Sequence, residues 1–388
     1  MSSELALANI RAKQVEATML PRPFELDELP TPALVLDKPA LEANIAKMSK
    51  HLVSHGKGFR PHAKTHKCPL ISRMQIEAGA VGVCAAKVSE AAALLHGGVS
   101  KILITSPIST LTKAQILDTL LLGQQDIRIV VDSLHGFELL DRAISAESNL
   151  GILVDLDVSM GRTGTRDNDL LLTLVERIEK DDRFYFSGVQ HYAGHLMHLA
   201  DFGKRREKSL SSWQRLEDKF LLLEKHGIDI DVVTGGGTGT YDIDVEVARM
   251  TDLQVGSYIF MDEEYRAIGS AQGARFNEFE LSLSVACTTI SQPQNATITV
   301  DGGYKAFASD SVNPVCDDIP DVEFRFAGDE HGVLILAEGQ QEIQLGQVIR
   351  FATPHCDPTV NLHEYYWVME ADGLIHSCWP ITARGCSW

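Results

Sequence analysis

The sequence predicts an α/β chain, a (β/α)8 barrel of the TIM type followed by a C-terminal, mainly antiparallel β domain. Three observations lead there. From about residue 58, short apolar or β-branched runs alternate with longer amphipathic segments, the rhythm of βα units around a parallel sheet. The runs 58–62, 81–85, 101–105, 127–132, 151–157, 184–191, 229–234 and 253–259 make eight, the number that closes a barrel. Beyond residue 275 the rhythm gives way to short strands between turn residues. An open doubly wound sheet is the other arrangement of the same units.

The elements follow in order. Residues 1–28 read as an N-terminal arm packed on the barrel or on a partner subunit. The run Ala33 to Asp37 would be a ninth barrel strand, so residues 29–56 are read as a strand that joins the C-terminal β domain and a helix leading into the barrel. The barrel spans 57–272, with helical patterns at 66–78, 88–97, 110–122, 134–147, 168–179 and 203–226 between its strands. Residues 273–388 form the β domain, with strands near 279–290, 296–300, 322–326, 333–336, 346–351, 364–370 and 374–379.

Composition narrows the function. With 35 Lys and Arg against 53 Asp and Glu, the formal charge is −18, which argues against nucleic acid as a partner because phosphate binding needs a basic face. No run approaches the roughly 20 apolar residues of a membrane span, and the N-terminus has no signal-peptide core, so a cytoplasmic enzyme is expected. Seven scattered cysteines without a CxxC pair indicate neither a disulfide framework nor a structural zinc site.

Functional groups in such barrels sit where strands end. The first strand runs into Arg60-Pro-His-Ala-Lys64-Thr-His-Lys67, and a lysine at a barrel mouth offers an amine for covalent chemistry. The same residues also fit a surface basic cluster. Thr234 and the glycines up to Gly239 follow the seventh strand, and Gly256-Ser257 ends the eighth, where backbone N–H groups commonly cradle phosphate. A lysine at one end and an anion site at the other suit pyridoxal 5′-phosphate (PLP). Arg162 could face the pyridine nitrogen or form a salt bridge with Asp155 or Asp157. In an extended segment His355 and Asp357 would point to one side, a sparse ligand set suited to Mn²⁺ or Mg²⁺, or they could belong to a turn before Pro358. His191, His195 and His198 close the sixth strand, where imidazoles favour proton transfer, with at least one of them structural. His331 is read as part of a turn.

Together these residues resemble the D-threonine and 3-hydroxy-D-aspartate aldolases among the alanine racemase-like, fold-type III PLP enzymes. The resemblance runs from about residue 29 to the C-terminus. It is carried by the Arg60–Lys67 run, Lys87-Val-Ser-Glu90, Gly161-Arg162-Thr-Gly164, Gly235 to Gly239, Gly256-Ser-Tyr258, Phe260-Met-Asp262, Asp329 to Gly332, His355 to Thr359 and Ala383-Arg-Gly385. It implies that Lys64 is the Schiff-base lysine and that Arg162 faces the pyridine nitrogen. Tyr192, Thr234, Gly236, Gly237, Gly256 and Ser257 would complete the cofactor-binding set, and His355 and Asp357 would hold a divalent metal, Mn²⁺ before Mg²⁺. His198 would lie near the substrate β-hydroxyl.

The dehydratases among these relatives carry a Cys two residues after the metal His, and Asp357 stands there, which points to the aldolase branch. The implied reaction is retro-aldol cleavage of a D-3-hydroxy-α-amino acid to glycine and an aldehyde, in a head-to-tail homodimer. A dehydratase of the same fold and a non-catalytic PLP carrier are the competing readings. The chain departs from the family pattern at Ala86, at Ser106-Pro107 and at His195, positions expected to line or support the pocket.

Overall fold

The computed structural model describes residues 3–123, 126–294, 296–316, 318–319, 321–337 and 343–388; the first two residues of the expected arm lie outside that set. Eight parallel strands form one sheet: Gly58–Phe59, Val83–Ala85, Lys101–Ile104, Asp126–Val131, Leu150–Asp155, Phe184–His191, Val232–Gly235 and Asp252–Leu253. The sheet closes on itself, because Asp252 and Leu253 pair with Gly58 and Phe59 while Cys84 N–H donates to Pro61 O and Ala63 N–H donates to Cys84 O, both at 2.8 Å.

Side-chain alternation explains how the barrel is filled. Cys84, Leu103, Val130, Leu153 and Val232, one from each of five strands, form a separate apolar cluster, while the flanking Ile102, Ile104, Ile129, Val131, Ile152 and Val154 belong to the main core. Gly188 sits opposite Val232, where an added Cβ would lie 1.9 Å from the Val232 carbonyl oxygen, so the strands can approach only without a side chain. Two residues further along, the same register carries polar groups: Thr105, Asp132, Asp155, Gln190 and Thr234. The apolar plug therefore has a polar layer on the side of the strand C-termini.

The predicted eighth strand, 253–259, is shorter than expected. The regular strand ends at Leu253, although His62 N–H still donates to Val255 O at 2.8 Å, and Ser257–Ile259 form a 3-10 turn in which Tyr258 N–H donates to Thr238 Oγ1 and Met261 N–H to Ser257 O.

Among the described residues the second sheet has nine strands. Ala33–Asp37 lies between Leu283–Gln294, antiparallel, and Tyr365–Met369, parallel, as a strand surplus to the barrel should. The N-terminal segment is more than an arm. Helix Ser3–Arg11 packs on helices Val88–His96 and Leu111–Leu121, and Thr18–Phe24 then joins the second sheet as its edge strand, antiparallel to Ile375–Pro380. Pro21 and Pro23 hide this strand in the sequence; an edge tolerates proline because one side of it needs no donors. Among the described residues no helix is long and apolar enough to cross a membrane.

The two sheets are fastened at the turn after the first barrel strand. Tyr366 Oη donates to His66 O at 2.6 Å, and Ala383 N–H donates to Lys67 O at 2.9 Å. Lys67 has a left-handed backbone, φ 51°. Its ammonium pairs with buried Glu90 at 3.0 Å, while the other Glu90 oxygen accepts from Ala86 N–H at 2.6 Å. Glu90→Ala would leave a buried ammonium and a half-buried N–H without partners, so we expect a loss of about 3–5 kcal/mol in denaturant unfolding. A loss below about 1 kcal/mol would show that this pair is not what holds the turn.

Candidate active site

A cavity of about 610 Å³ opens at the C-terminal ends of the barrel strands. Its polar floor is continuous. Gln190 Nε2 donates to Asp155 Oδ1 (3.0 Å) and Thr105 O (3.2 Å), and Gln254 Nε2 donates to Gln190 Oε1 (3.1 Å) and Thr234 Oγ1 (3.3 Å). Thr234 Oγ1 in turn donates to Asp252 Oδ1 (2.5 Å), which also accepts from Arg60 Nε at 2.9 Å. Burial pushes the Asp155 carboxyl up to about 6 against the hydrogen bonds from Gln190 and Thr163.

Of the residues singled out by sequence, Lys64, Arg162, Tyr192, Gly237, Gly256 and Ser257 line this cavity. Thr234 and Gly236 are not among the lining residues. Thr234 is fully buried in the floor network, and Gly236, at φ 69°, shapes the turn above it. At Gly256 an added Cβ would sit 2.7 Å from Thr65 Oγ1, so this wall of the cavity must be backbone.

Arg162 forms neither of its alternative ion pairs. Asp157 is taken by Arg166 at 2.6 Å, Asp155 by Gln190 and Thr163, and the Arg162 guanidinium lies over the Tyr192 ring, 5.0 Å from its centroid. Ala86, Ser106 and Pro107, the positions where the chain departs from the family pattern, also line the cavity; exposed His195 is not among the lining residues.

The C-terminal β domain reaches this mouth through His355 and Asp357. Their segment is not extended, as the sequence suggested. His355 caps the short helix Cys356–Val360, in which Pro358 is tolerated because first-turn N–H groups need no helical acceptor. Asp262 fastens that helix to the barrel, its Oδ2 accepting from Cys356 N–H at 2.9 Å and its Oδ1 from Tyr265 N–H at 2.9 Å.

Asp357 Oδ2 lies 2.5 Å from Lys64 Nζ. Burial would raise the Asp357 carboxyl, but Lys64 and His355 outweigh it and hold the group well below the carboxylate range. Lys64 is correspondingly raised, chiefly by Asp357 and against its burial. His355 Nδ1 is 2.8 Å from Asp310 Oδ2, and the carboxylates of Asp357 and Asp310 raise its imidazole against the effect of burial.

The three histidines of the sixth unit separate by role. His191 is buried between Leu156 O (3.0 Å) and Ser212 Oγ (2.6 Å), a structural residue. His198 stacks edge-on against cavity-lining Tyr265 at 4.4 Å and approaches Glu264 Oε1 at 3.3 Å. Burial first, and then His355, push His198 down to about 4, so it is neutral at neutral pH. His331 is exposed in its turn.

Sequence reasoning passed over Glu264 and Asp310. Neither sits in a motif of its own, although Glu264 follows the Phe260-Met-Asp262 run by two residues. Among the described residues no group of three His, Cys, Asp or Glu side chains is arranged to hold a metal ion.

A closed parallel barrel carrying a lysine at its mouth, completed by a second sheet, defines the alanine racemase-like class. Residues 36–264 match the family model described as alanine racemase, N-terminal domain, and residues 282–369 match the putative serine dehydratase domain. The chain is 34% identical to a D-threonine aldolase from an Arthrobacter species, over 96% of this chain and 98% of that protein. It is 33% identical to a 3-hydroxy-D-aspartate aldolase from Paracoccus denitrificans, over 92% and 93%. The crystal structure of D-threonine aldolase from Filomicrobium marinum superposes with a TM-score of 0.90 at 32% identity, covering 96% of this chain and 100% of that one. The chain therefore belongs to the family of the D-threonine and 3-hydroxy-D-aspartate aldolases.

One support of the site titrates in an accessible range. Asp244 accepts from Ser209 Oγ (2.6 Å) and Thr240 Oγ1 (2.5 Å) beneath the Gly236 turn. Its burial outweighs both bonds and raises the carboxyl from 3.8 to about 6. A carboxyl raised on folding contributes stability that is fully present below its unfolded value and lost as pH rises through its folded one. Between pH 5 and 8 the wild type should therefore lose roughly 1–2 kcal/mol relative to Asp244→Asn. Parallel stability curves for the two proteins would contradict the assignment.

Proposed function

We infer that this protein is a PLP- and divalent-metal-dependent aldolase that cleaves the Cα–Cβ bond of a D-3-hydroxy-α-amino acid, giving glycine and an aldehyde. The observation that carries the reading is the meeting of Lys64 with Asp357, 2.5 Å apart, where the barrel mouth joins the C-terminal sheet.

The residues present fit both groups. The wall that must be backbone at Gly256, with the neighbouring Gly237 and the Ser257 hydroxyl, suits a phosphate, and Gly236 shapes the same turn. Lys64 is the amine for the cofactor aldehyde, and Arg162, steadied on Tyr192, is available to the pyridine nitrogen. Thr234 supports this set through the floor network. The donor pair His355 and Asp357, one imidazole and one ionised carboxylate, suits Mn²⁺ or Mg²⁺ with solvent in the remaining positions. When bound, PLP supplies an electron sink for the pair released by bond cleavage, and the metal supplies a Lewis acid that acidifies the β-hydroxyl.

The chain's own groups do the rest. Arg162, whose guanidinium lies over the Tyr192 ring, would be the donor to the pyridine nitrogen and would moderate the sink. His198, neutral because burial and His355 disfavour its cation, can accept the proton of the substrate hydroxyl. Tyr265, packed on the His198 ring, restricts water on that side. The reading includes a homodimer, which the family resemblance supports, and a cytoplasmic location, which rests on the lack of a signal-peptide core in the N-terminal sequence.

A second reading, dehydration of a D-3-hydroxyamino acid, is favoured by the match of residues 282–369 to a putative serine dehydratase domain. Against it stands Asp357, a carboxylate that offers oxygen where a thiolate would select zinc.

Purified protein incubated with D-threonine or D-3-hydroxyaspartate, PLP and Mn²⁺ should release glycine and lose activity to a chelator. Ammonia without glycine would overturn the aldolase reading. Lys64→Ala should abolish the visible absorbance of bound cofactor, and an unchanged spectrum would remove Lys64 from its role.

A further inference from the structure

Glu264 occupies a position that the reaction as described leaves unused. Its N–H donates to Pro354 O at 3.0 Å, and Glu263 N–H donates to Thr353 O at 3.0 Å, so the short helix Glu263–Arg266 is clamped to the strand that leads into His355. From that helix the Glu264 carboxylate reaches between two imidazoles of different domains. Oε1 is 3.3 Å from His198 Nδ1, and Oε2 is 3.6 Å from His355 Nδ1. The shorter contact of His355 Nδ1, 2.8 Å, is with Asp310 Oδ2. Glu264 Oε2 is shut away from solvent and has no hydrogen-bond partner among the described residues. A buried acceptor without a donor asks for an explanation, and a site that completes itself on binding provides one.

We propose that Glu264 is a positioning carboxylate that couples the proton-transfer half of the site to its metal half. With His198 Nδ1 turned toward Glu264, the free Nε2 is the atom that takes the substrate proton. With His355 Nδ1 turned toward Asp310 and Glu264, Nε2 is the metal-facing nitrogen. Carboxylates placed behind metal-binding histidines fix tautomer and ring orientation in this way. One rigid group thus sets the relation between an imidazole on the barrel and an imidazole on the second sheet. The inference rests on the reading of His355 as a metal ligand and of His198 as the proton acceptor.

The test compares wild type with Glu264→Gln, which keeps the side-chain length and the backbone bond to Pro354 but not the charge. Mn²⁺ is titrated calorimetrically into PLP-loaded protein without substrate, and steady-state kinetics are measured on the same preparations. Mn²⁺ affinity should fall about 10-fold or more, and kcat about 10- to 100-fold, with KM changed by less than about threefold. Glu264→Asp, one methylene too short to span both rings, should move both quantities in the same direction and serves if the first variant does not fold. Unchanged Mn²⁺ affinity or unchanged kcat in folded Glu264→Gln overturns the proposal. A change confined to KM does so as well. A wild type that takes up no Mn²⁺ would overturn the metal reading and this inference with it, whereas wild-type binding matched by Glu264→Gln overturns this inference alone.

Discussion

The contact between Lys64 Nζ and Asp357 Oδ2, 2.5 Å long, joins the two sheets where both bring reactive groups to the cavity mouth. Each partner explains the protonation of the other: the carboxylate keeps the amine charged, and the amine keeps the carboxyl ionised despite its burial. The pair stands at the cavity mouth, with the Lys64 side chain 43% exposed, so a cofactor that takes the amine would leave the Asp357 carboxylate open to another cation. The proposed metal site, with His355 next to Asp357 in sequence space by two residues, offers that replacement. On the proposed reading, one carboxylate would serve the lysine and the metal in turn.

That contact holds only if the two sheets keep their register to within a fraction of an ångström. Several independent fasteners supply this. Asp262 grips the Cys356 N–H, Tyr366 grips the His66 carbonyl and Ala383 grips Lys67, so the turn bearing Lys64 and the helix bearing Asp357 are each held from the opposite domain. Beneath them the barrel changes from an apolar plug to a hydrogen-bonded polar layer within two residues along each strand. The layer gives the cavity a rigid floor, because its amides and carboxylates are tied to one another, and rigid floors favour catalytic precision.

The barrel and the second sheet were legible in the sequence because their strands are β-branched runs with clear punctuation. The surplus strand Ala33–Asp37 was legible by counting. The edge strand Thr18–Phe24 was not, since two prolines in seven residues read as a loop until the edge position excuses them. The pair His355 and Asp357 could be picked out by type, but an extended segment was the wrong conformation: the side chains converge from a helix cap and first turn. Thr234 looked like a phosphate contact because it precedes the glycines, whereas the inward register of Val232 and Thr234 puts its hydroxyl in the floor. Glu264 and Asp310 carry no local signal at all, because their meaning arises only where separate elements meet.

The central claim, that Asp357 is shared between Lys64 and the metal, is tested most directly by measuring the Kd of Mn²⁺ for the protein with and without PLP. Loading PLP would withdraw the Lys64 ammonium from Asp357, so Mn²⁺ should bind at least several-fold more tightly to the loaded protein, and by linkage PLP more tightly to the metal-bound one. Equal Mn²⁺ affinities in the two forms would contradict the account.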